Sequence, residues 1–566
     1  MLYSVRPIPP LRPKGFSDLV ANLLGSRGIC DDVSAQAFVS PDYDAHVHDP
    51  FLMKDMDRAV ERLYQAIRNN EYIVIFSDYD ADGIPGGALL HDLLRAVGYT
   101  RFQNYIPHRH DEGFGLNTSA IDSFKEAGTT LLITVDCGIA DQEEIAHAAS
   151  LGIDVIVTDH HVPILPLSAA YAVLDPKQAD CTYPEKMLCG SGVAFKYIQA
   201  FLARYRDEFS VSIGWEKWLL DLVGIATLSD MVPLVGENRV FAYYGLKVLR
   251  KTRRPGLRAL YRTLRITASH LSEDDIGFSI TPRINAASRM GEPEHAFRLL
   301  VTTDEAEAQS LVTILERVNR ERKGTVAALV KEIRRVIAER NFDDKEVIVI
   351  GNPEWRPALL GLAANSFADE YGKPVFLWGR DGDGIIKGSC RAGGGPSVLL
   401  LMEAARGAFI DFGGHHASGG FSVASEAIHS LEDALLNAFR VLAHSHTEIP
   451  ESPTADASIG LEYVTWNTYD DIDRLAPYGV GNPKPLFIFR DGVIADIRPF
   501  GKEKNHTELV LTDASGRTLS AIQFFSSPDA YGDRLQKGRR IDVVGHIEKS
   551  TFKRYPELRL RIIDIV

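Results

Sequence analysis

The 566-residue sequence predicts an α/β protein with a parallel sheet first, a second α/β unit after it and a small β-barrel at the end. Three observations carry that reading. Short β-branched runs at Tyr72–Phe76, Leu131–Val135 and Asp154–Thr158 alternate with helical stretches such as Gly87–Val97 and Asp141–Ser150. This is the pattern of βαβ units, whose strands lie parallel and are covered on both faces. A second alternation follows, with strands at Glu346–Ile350 and Pro374–Trp378 and a glycine-rich stretch to Phe421. Near the end, short alternating strands at Glu508–Leu511, Thr518–Phe524, Arg540–Val544 and Leu558–Ile563 have the rhythm of a barrel.

The connections follow from periodicity and breakers. From Asp304 to Arg340, apolar residues fall at Leu311, Ile314, Leu315, Val318, Val326, Leu329, Ile333, Val336 and Ile337. That helical period is interrupted near Arg322 and Gly324, which predicts one connecting helix, or a pair if Gly324 breaks it. Glu448–Thr454, with two prolines, reads as a linker. No internal repeat or low-complexity tract occurs.

Composition sets outer limits. Forty-five percent apolar and 24% charged residues fit a globular protein and exclude wholesale disorder. Cys30, Cys137, Cys181, Cys189 and Cys390 are odd in number and contain no C-x-x-C pair, which argues against a disulfide framework or a thiolate zinc site and for a reducing compartment. No run approaches the ~20 apolar residues of a membrane span, and the N-terminus has no apolar h-region, so the chain reads as cytoplasmic, with no membrane partner. The net charge of −14 is unusual for a nucleic-acid binder, yet it hides two basic runs. Lys251–His270 holds six Lys/Arg and no acid, and Arg534–Arg561 holds nine against three acids. Each run alone is equally well an ordinary solvated face.

The chemistry is concentrated where the first three strands end. They run into Ser77-Asp78-Tyr79-Asp80-Ala81-Asp82-Gly83, Asp136-Cys137-Gly138 and Asp159-His160-His161. Open parallel sheets place their sites at the carboxyl ends of strands. Five carboxylates and two imidazoles are therefore delivered to one edge of one sheet. Clustered carboxylates repel unless a cation holds them, so a metal site is the economical account. Asp with His suits manganese, magnesium or zinc, and the lack of thiolates favours the harder ions. Two such ions about 3.5–4 Å apart clamp the attacking and leaving oxygens of a phosphoryl transfer. A single Asp after a strand can also be a helix N-cap, a role open to Asp82 and Asp159.

Val157-Thr158-Asp159-His160-His161 resembles the motif of the DHH phosphoesterase superfamily, and the accompanying motifs are most similar to its RecJ family of single-strand exonucleases. They are Ser77–Gly83, Pro107–Gly115, Thr134–Gly138, Leu188–Lys196, Asp221–Arg239 and Pro282–Gly291. Further on, Gly388–Gly394 and Phe412–Gly420 are similar to the DHH-associated domain, and Tyr478–Pro485 to the opening of the family's OB-fold. The resemblance spans nearly all of the chain beyond residue 45. It implies an N-terminal segment (1–45), a DHH domain (46–303), a connecting helix (304–340), a DHH-associated domain (341–447) and an OB-fold (455–566).

Carried over residue by residue, the resemblance implies that Asp80, Asp82, Asp136, His160 and Asp221 hold two divalent ions, manganese or magnesium, with Asp136 bridging and Asp78 as an additional ligand. Asp221 opens an apolar helical run and could instead be an N-cap, with Asp230 the alternative ligand. His161 would lie against the scissile phosphate, where it stabilises developing charge or assists proton transfer. Arg109, Arg283, Asn285 and Arg289 fall in motifs that face phosphates, although Arg283 and Arg289 could pair with the acidic sheet edge instead. Phe114 stands where an aromatic ring stacks on a base, or packs a turn. In the second domain, Ser389, Arg391 and His415 are the implied contacts to the DNA end, and Arg356 replaces the family's usual histidine. In the barrel, Lys553, Arg554 and Tyr555 mix charge with an aromatic ring, as a single-strand groove does.

The implied activity is 5′ to 3′ hydrolysis of single-stranded DNA in repair and recombination, by a monomer that acts beside a helicase or single-strand-binding protein. Two alternatives stand beside it. A DHH phosphodiesterase of short oligoribonucleotides or cyclic dinucleotides would be shorter and would not need the barrel. A silent replication scaffold would not need to keep the ligands.

Overall fold

The structure is a computed structural model that describes residues 3–165, 169–340, 345–380, 385–445, 453–513, 515–551 and 555–566. It divides into two compact units, His48–Asp230 with Tyr244–Glu448, and Met1–Val47 with Met231–Tyr243 and Ile449–Val566.

The larger unit begins with a five-stranded parallel sheet. Its strands are β1 (Tyr72–Ser77), β2 (Phe102–Tyr105), β3 (Thr129–Val135), β4 (Asp154–Thr158) and β5 (Ala172–Leu174), in the order β2-β1-β3-β4-β5. The sequence predicts the three central strands. The two edge strands escape it because they are only four and three residues long, and Phe-Gln-Asn-Tyr lacks β-branched character. After β1 the chain crosses to one edge and then returns to the other side of β1. The topological switch point thus lies between β1 and β3. Helices α1 (Gly83–Ala96) and α2 (Gly190–Tyr205) start at the carboxyl edge of this sheet.

Helix α3 (Leu220–Ser229) and α4 (Thr281–Arg289) complete the parts used below, followed by α5 (Glu305–Arg340), a single 36-residue helix that Gly324 does not break. Its buried residues fall in two sets, Ala308 to Asn319 and Leu329 to Ile337, and Gly324 sits in the exposed gap between them. The second set packs with Ile348, Leu360 and Leu377 of the next domain, so tertiary contacts on both halves outweigh the ~1 kcal/mol cost of glycine.

That domain carries a mixed sheet of β6 (Ile348–Gly351), β7 (Val375–Arg380), β8 (Ile386–Arg391), β9 (Asp411–Gly414) and β10 (Ser418–Val423), ordered β9-β10-β8-β7-β6. Only β6 and β7 are parallel. Helix α6 (Pro357–Tyr371) lies against it. The predicted linker at 448–454 falls largely outside the described residues.

In the smaller unit, β12 (Phe487–Phe500), β13 (His506–Thr512), β14 (Thr518–Gln523), β15 (Arg540–Ser550) and β16 (Glu557–Ile565) close into a barrel, β12 pairing with both β13 and β15, while β11 (Ala457–Gly460) adds a parallel edge to β12. The long first strand, β12, is absent from the sequence reading. Gly492, Pro499 and two register shifts interrupt its alternation. The N-terminal segment is part of this unit, because Val20, Leu24, Phe38 and Val39 share one core with Phe489, Leu509 and Ile541 of the barrel. Among the described residues, no helix is long and apolar enough to cross a membrane.

Candidate metal centre

Register builds the site. Ser77, Val135, Thr158 and Leu174 are consecutive partners across β1, β3, β4 and β5. The residue after each is an aspartate, so Asp78, Asp136, Asp159 and Asp175 form one row along the carboxyl edge. The ladder carries on into that row, with Asp78 N donating to Val135 O (3.0 Å), Asp136 N to Thr158 O (2.9 Å) and Asp159 N to Leu174 O (3.0 Å). All four are buried.

Each member of the row and of the adjoining loop has its own task. Asp80 Oδ1 accepts from Asp82 N (2.7 Å) and Gly83 N (3.1 Å), and so shapes the start of α1. Asp82 does not cap its own helix. Its carboxylate accepts Gly190 N (2.6 Å) and Ser191 N (2.7 Å) at the start of α2, where a helix N-terminus favours negative charge. Asp136 has φ 63°, a left-handed conformation that costs a β-carbon residue free energy and that clusters at functional sites. Residue 190 must be glycine, because a Cβ there would lie 2.5 Å from Asp136 Cβ.

Asp78, Asp80 and Asp136 bring ligand atoms within 4.8 Å of one another, as do Asp82, His160 and Asp230, and Asp136, His160 and His161. His160 Nε2 lies 3.2 Å from Asp136 Oδ1, 3.8 Å from Asp230 Oδ2 and 3.9 Å from Asp82 Oδ2. Burial, reinforced by the neighbouring carboxylates, pushes Asp78 and Asp136 well above the ordinary carboxylate range, Asp82 up to about 6 and Asp230 up to about 8. Burial, with the His161 charge beside it, lowers His160 to about 3. Asp78 Oδ1 and Asp136 Oδ1 are buried without a hydrogen-bond partner. Orphaned buried carboxylate oxygens beside a neutral imidazole suit divalent cations, and Asp136, present in two of the three groups, fits a bridging place.

His161 is held differently. Its Nδ1 lies 2.8 Å from Asp159 Oδ1, which also accepts from His160 N (2.7 Å) and His161 N (3.2 Å), while Asp159 Oδ2 accepts Ile139 N (3.0 Å). Burial alone would lower the pKa of His161, but the bond to Asp159 and the charges of Asp159, Asp230 and Asp78 outweigh it and push it up to about 9. Phe114, 51% exposed, sets its ring edge-to-face against His161 (5.6 Å) and Tyr79 (6.5 Å). Arg109 stacks on Tyr79 at 4.6 Å. Arg289, whose pKa burial lowers to about 9 with help from Arg109, donates to Ala358 O (2.6 Å) at the start of α6.

Three of the predicted positions do something else. Asp221 joins none of the metal groups among the described residues. It is nine positions before Asp230 on α3, and its Oδ2 is tied to Arg254 Nε (2.8 Å), which also pairs with Asp92 (2.7 Å). The helix presents Asp230 at its C-terminus to the cluster instead. Arg283 pairs with Glu316 of α5, not with the acidic sheet edge, and donates to Ser279 O (2.6 Å). Asn285 Oδ1 accepts Ala81 N (2.9 Å), which braces the loop carrying Asp80 and Asp82.

The second domain brings Ser389, Arg391 and His415 toward one sheet end. Ser389 and Arg391 pair with Gly420 and Ser418 on β10, and His415 N donates to Ser418 O (2.8 Å) in the turn before β10. In the barrel, Lys553 and Arg554 lie outside the described residues, and Tyr555 is exposed. The basic run at 251–270 is largely committed internally, with Arg258 and Arg262 on Glu305 and Arg253 over Trp218.

Sequence reasoning missed three features. Asp159 reads in the sequence as one of the five edge carboxylates or as an N-cap, not as the anchor of His161. Asp175 follows a strand too short to detect. On the barrel, Phe500, His506, Phe524 and Phe525 form a ring cluster with centroids 5.1–5.7 Å apart for the pairs through His506 and for Phe500–Phe524. Arg561 lies 4.0 Å over Phe524, and Phe525 is 84% exposed.

Comparison with known proteins agrees with this geometry. The model of the DHH family, N-terminal domain, matches residues 72–227, the DHHA1 domain 344–441 and the RecJ OB domain 455–564. The single-stranded-DNA-specific exonuclease RecJ of Bacillus subtilis is 35% identical over 97% of this chain and 68% of its own length. The same-named protein of Haemophilus influenzae is 30% identical over 87% of each. Among solved structures, RecJ of Thermus thermophilus in complex with Mn2+ superposes with a TM-score of 0.79 at 26% identity, covering 100% of this chain and 78% of that one. The same protein with Mg2+ gives 0.72 at 25% identity, covering 99% and 77%. With its three domain types in order and these relatives across most of its length, the chain belongs to the RecJ family of the DHH superfamily.

Proposed function

We propose that the chain is a metal-dependent exonuclease specific for single-stranded DNA, digesting from the 5′ end and releasing nucleotides. The observation that carries this is the row of buried aspartates, with His160 and Asp230, at the switch point of the first sheet, in a chain whose relatives carry that activity in their names.

Asp78, Asp80, Asp82, Asp136, His160 and Asp230 would hold two manganese or magnesium ions. When bound, these supply charge neutralisation of the phosphate and a water of lowered pKa. The protein's own residues do the rest. Asp159 accepts the Nδ1 proton of His161, so Nε2 is the ring nitrogen left to face substrate. A protonated His161 there stabilises charge that develops on the phosphate oxygens. Arg109, stacked on Tyr79, and the Ser389–Arg391 end of the second sheet suit phosphates of the strand, and Phe114 suits its bases. The barrel's aromatic cluster suits a longer strand. A single-strand-binding protein or helicase as partner, and a monomeric state, complete the reading.

Digestion of single strands labelled at either end, as DNA and RNA, with manganese, magnesium or a chelator tests it. Metal-dependent release of the 5′ label from DNA is expected. Release from the 3′ end, or equal digestion of RNA, would overturn the polarity or the specificity.

A further inference from the structure

The row of aspartates runs on past the metal groups. Its last member, Asp175 after β5, is fully buried, and its Oδ2 has no hydrogen-bond partner. Asp175 Oδ1 accepts Lys177 N (2.7 Å), which turns the chain back at the carboxyl edge. Two side chains fix that turn. Buried Gln178 donates Nε2 to Val173 O (2.8 Å) and Asp175 O (3.2 Å), and Lys186 Nζ donates to Pro176 O (2.9 Å) and Cys181 O (2.7 Å).

Lys177 differs from the other lysines around this turn. Lys186 holds those two carbonyls, and Lys54 pairs with Asp180 (2.7 Å). Lys177 is half-buried, yet its ammonium makes no hydrogen bond or ion pair among the described residues. Its charge still reaches the site. Burial is the largest influence on the pKa of Asp175, Asp230 and His160, and the Lys177 charge acts on all three. A cation felt by the metal-group residues but out of ion-pair reach leaves space for an anion between them, and a half-buried ammonium is costly without one.

Arg109 has the matching place at the other end of the row. It stacks on Tyr79 at 4.6 Å, and its charge acts on Asp78 against burial and Asp80. Three strand spacings, about 14 Å, separate Asp78 from Asp175. Cations so far apart suit two phosphates of one strand better than one. An ammonium on a flexible stem is a point charge that takes any phosphate, whatever base it carries.

We propose that Lys177 is a substrate-binding residue whose ammonium holds the phosphodiester next to the scissile one, on the retained side of the strand and across the metal centre from Arg109. The identity of the strand rests on the exonuclease reading.

The test compares the wild-type chain with Lys177→Met, Lys177→Arg and Lys54→Met. Each digests (dT)12 with manganese, and the same strand carrying a neutral methylphosphonate at its second linkage from the 5′ end. Lys177→Met should raise KM about tenfold with kcat within about twofold, Lys177→Arg should recover most of the loss, and Lys54→Met should change neither. The neutral linkage should cost the wild type the same factor and Lys177→Met nothing further. If the wild type tolerates that linkage, or Lys177→Met loses as much again from it, the proposal is wrong. A changed manganese requirement at constant KM would also overturn it, since Lys177 would then only offset the acidic edge. In a chain carrying Asp136→Ala, Lys177→Met should flatten the slope of log affinity for (dT)12 against log salt by about 0.7, the share of one phosphate. That reading needs no turnover. A wild-type chain that digests nothing would count against the exonuclease, whereas an unchanged slope would count against Lys177.

Discussion

The carboxyl edge of the first sheet and the rim of the barrel both gather functional groups, but by opposite physical means. At the sheet edge, polar groups are buried, crowded and like-charged, and Asp136 holds a left-handed backbone to reach its place. At the rim, Phe500, His506, Phe524 and the Arg561 guanidinium are half-buried, and Phe525 is 84% exposed. Buried like charges are tolerated only where a cation offsets them, so that edge is built for one kind of occupant. Exposed rings stack on any base and discriminate little. The contrast teaches that a buried, charged edge and a partly open ring cluster should differ in their sensitivity to mutation.

Substitutions should break this comparison unevenly. The largest effect is expected of Asp136→Ala, which removes the carboxylate common to two of the three ligand groups and should lower turnover by about a thousandfold or more while circular dichroism and the melting temperature stay near normal. Near-normal turnover with metal supplied would remove Asp136 from the bridging place. Asp159→Asn comes next. It leaves the metal groups untouched but loosens His161, so kcat should fall about 10–100-fold with KM little changed. A raised KM at constant kcat would instead make Asp159 a binding residue.

The pair Asp230 and Asp221 sharpens the edge itself. Asp230→Asn should raise the metal concentration for half-maximal activity about 10–100-fold. Asp221→Asn should leave that requirement alone and lower stability by about 3 kcal/mol, read as a shifted urea midpoint, because Arg254 loses its buried carboxylate partner and keeps only the half-buried Asp92. A shifted metal requirement in the Asp221 variant would return it to the ligand set.

The smallest effect belongs to the rim. Phe525→Ala should weaken binding of long single strands by about 1–3 kcal/mol and spare hydrolysis of very short ones. Unchanged affinity for long DNA would show that the cluster serves packing or another partner. This single substitution is a cleaner probe than deleting the barrel, because deletion would strip the apolar cover from Val20, Leu24 and Phe38.

The metal edge was legible in the sequence because it is local. Three central strands announce themselves by β-branched runs, and each ends directly in its aspartates or histidines. A strand fixes where its next residue goes, so motif and position come together. The Asp-His-His motif, the paired aspartates of the first loop and the order of the three domain types needed no coordinates.

What the tertiary structure decided is every choice between residues that local pattern leaves equivalent. Asp221 and Asp230 lie on one helix, and only the packing of α3 against Arg254 and the cluster tells the ion-pair partner from the member of the metal group. Arg283 and Arg289 share one motif, yet α5 offers Glu316 to the first and α6 a carbonyl to the second. Asp82 caps a helix more than a hundred positions away, and Gly324 stays helical because both halves of α5 are buried elsewhere. A carboxylate or guanidinium is specified by its sequence only as a charge. Which partner offsets that charge depends on which surfaces the fold brings within hydrogen-bond reach, and those surfaces come from distant parts of the chain.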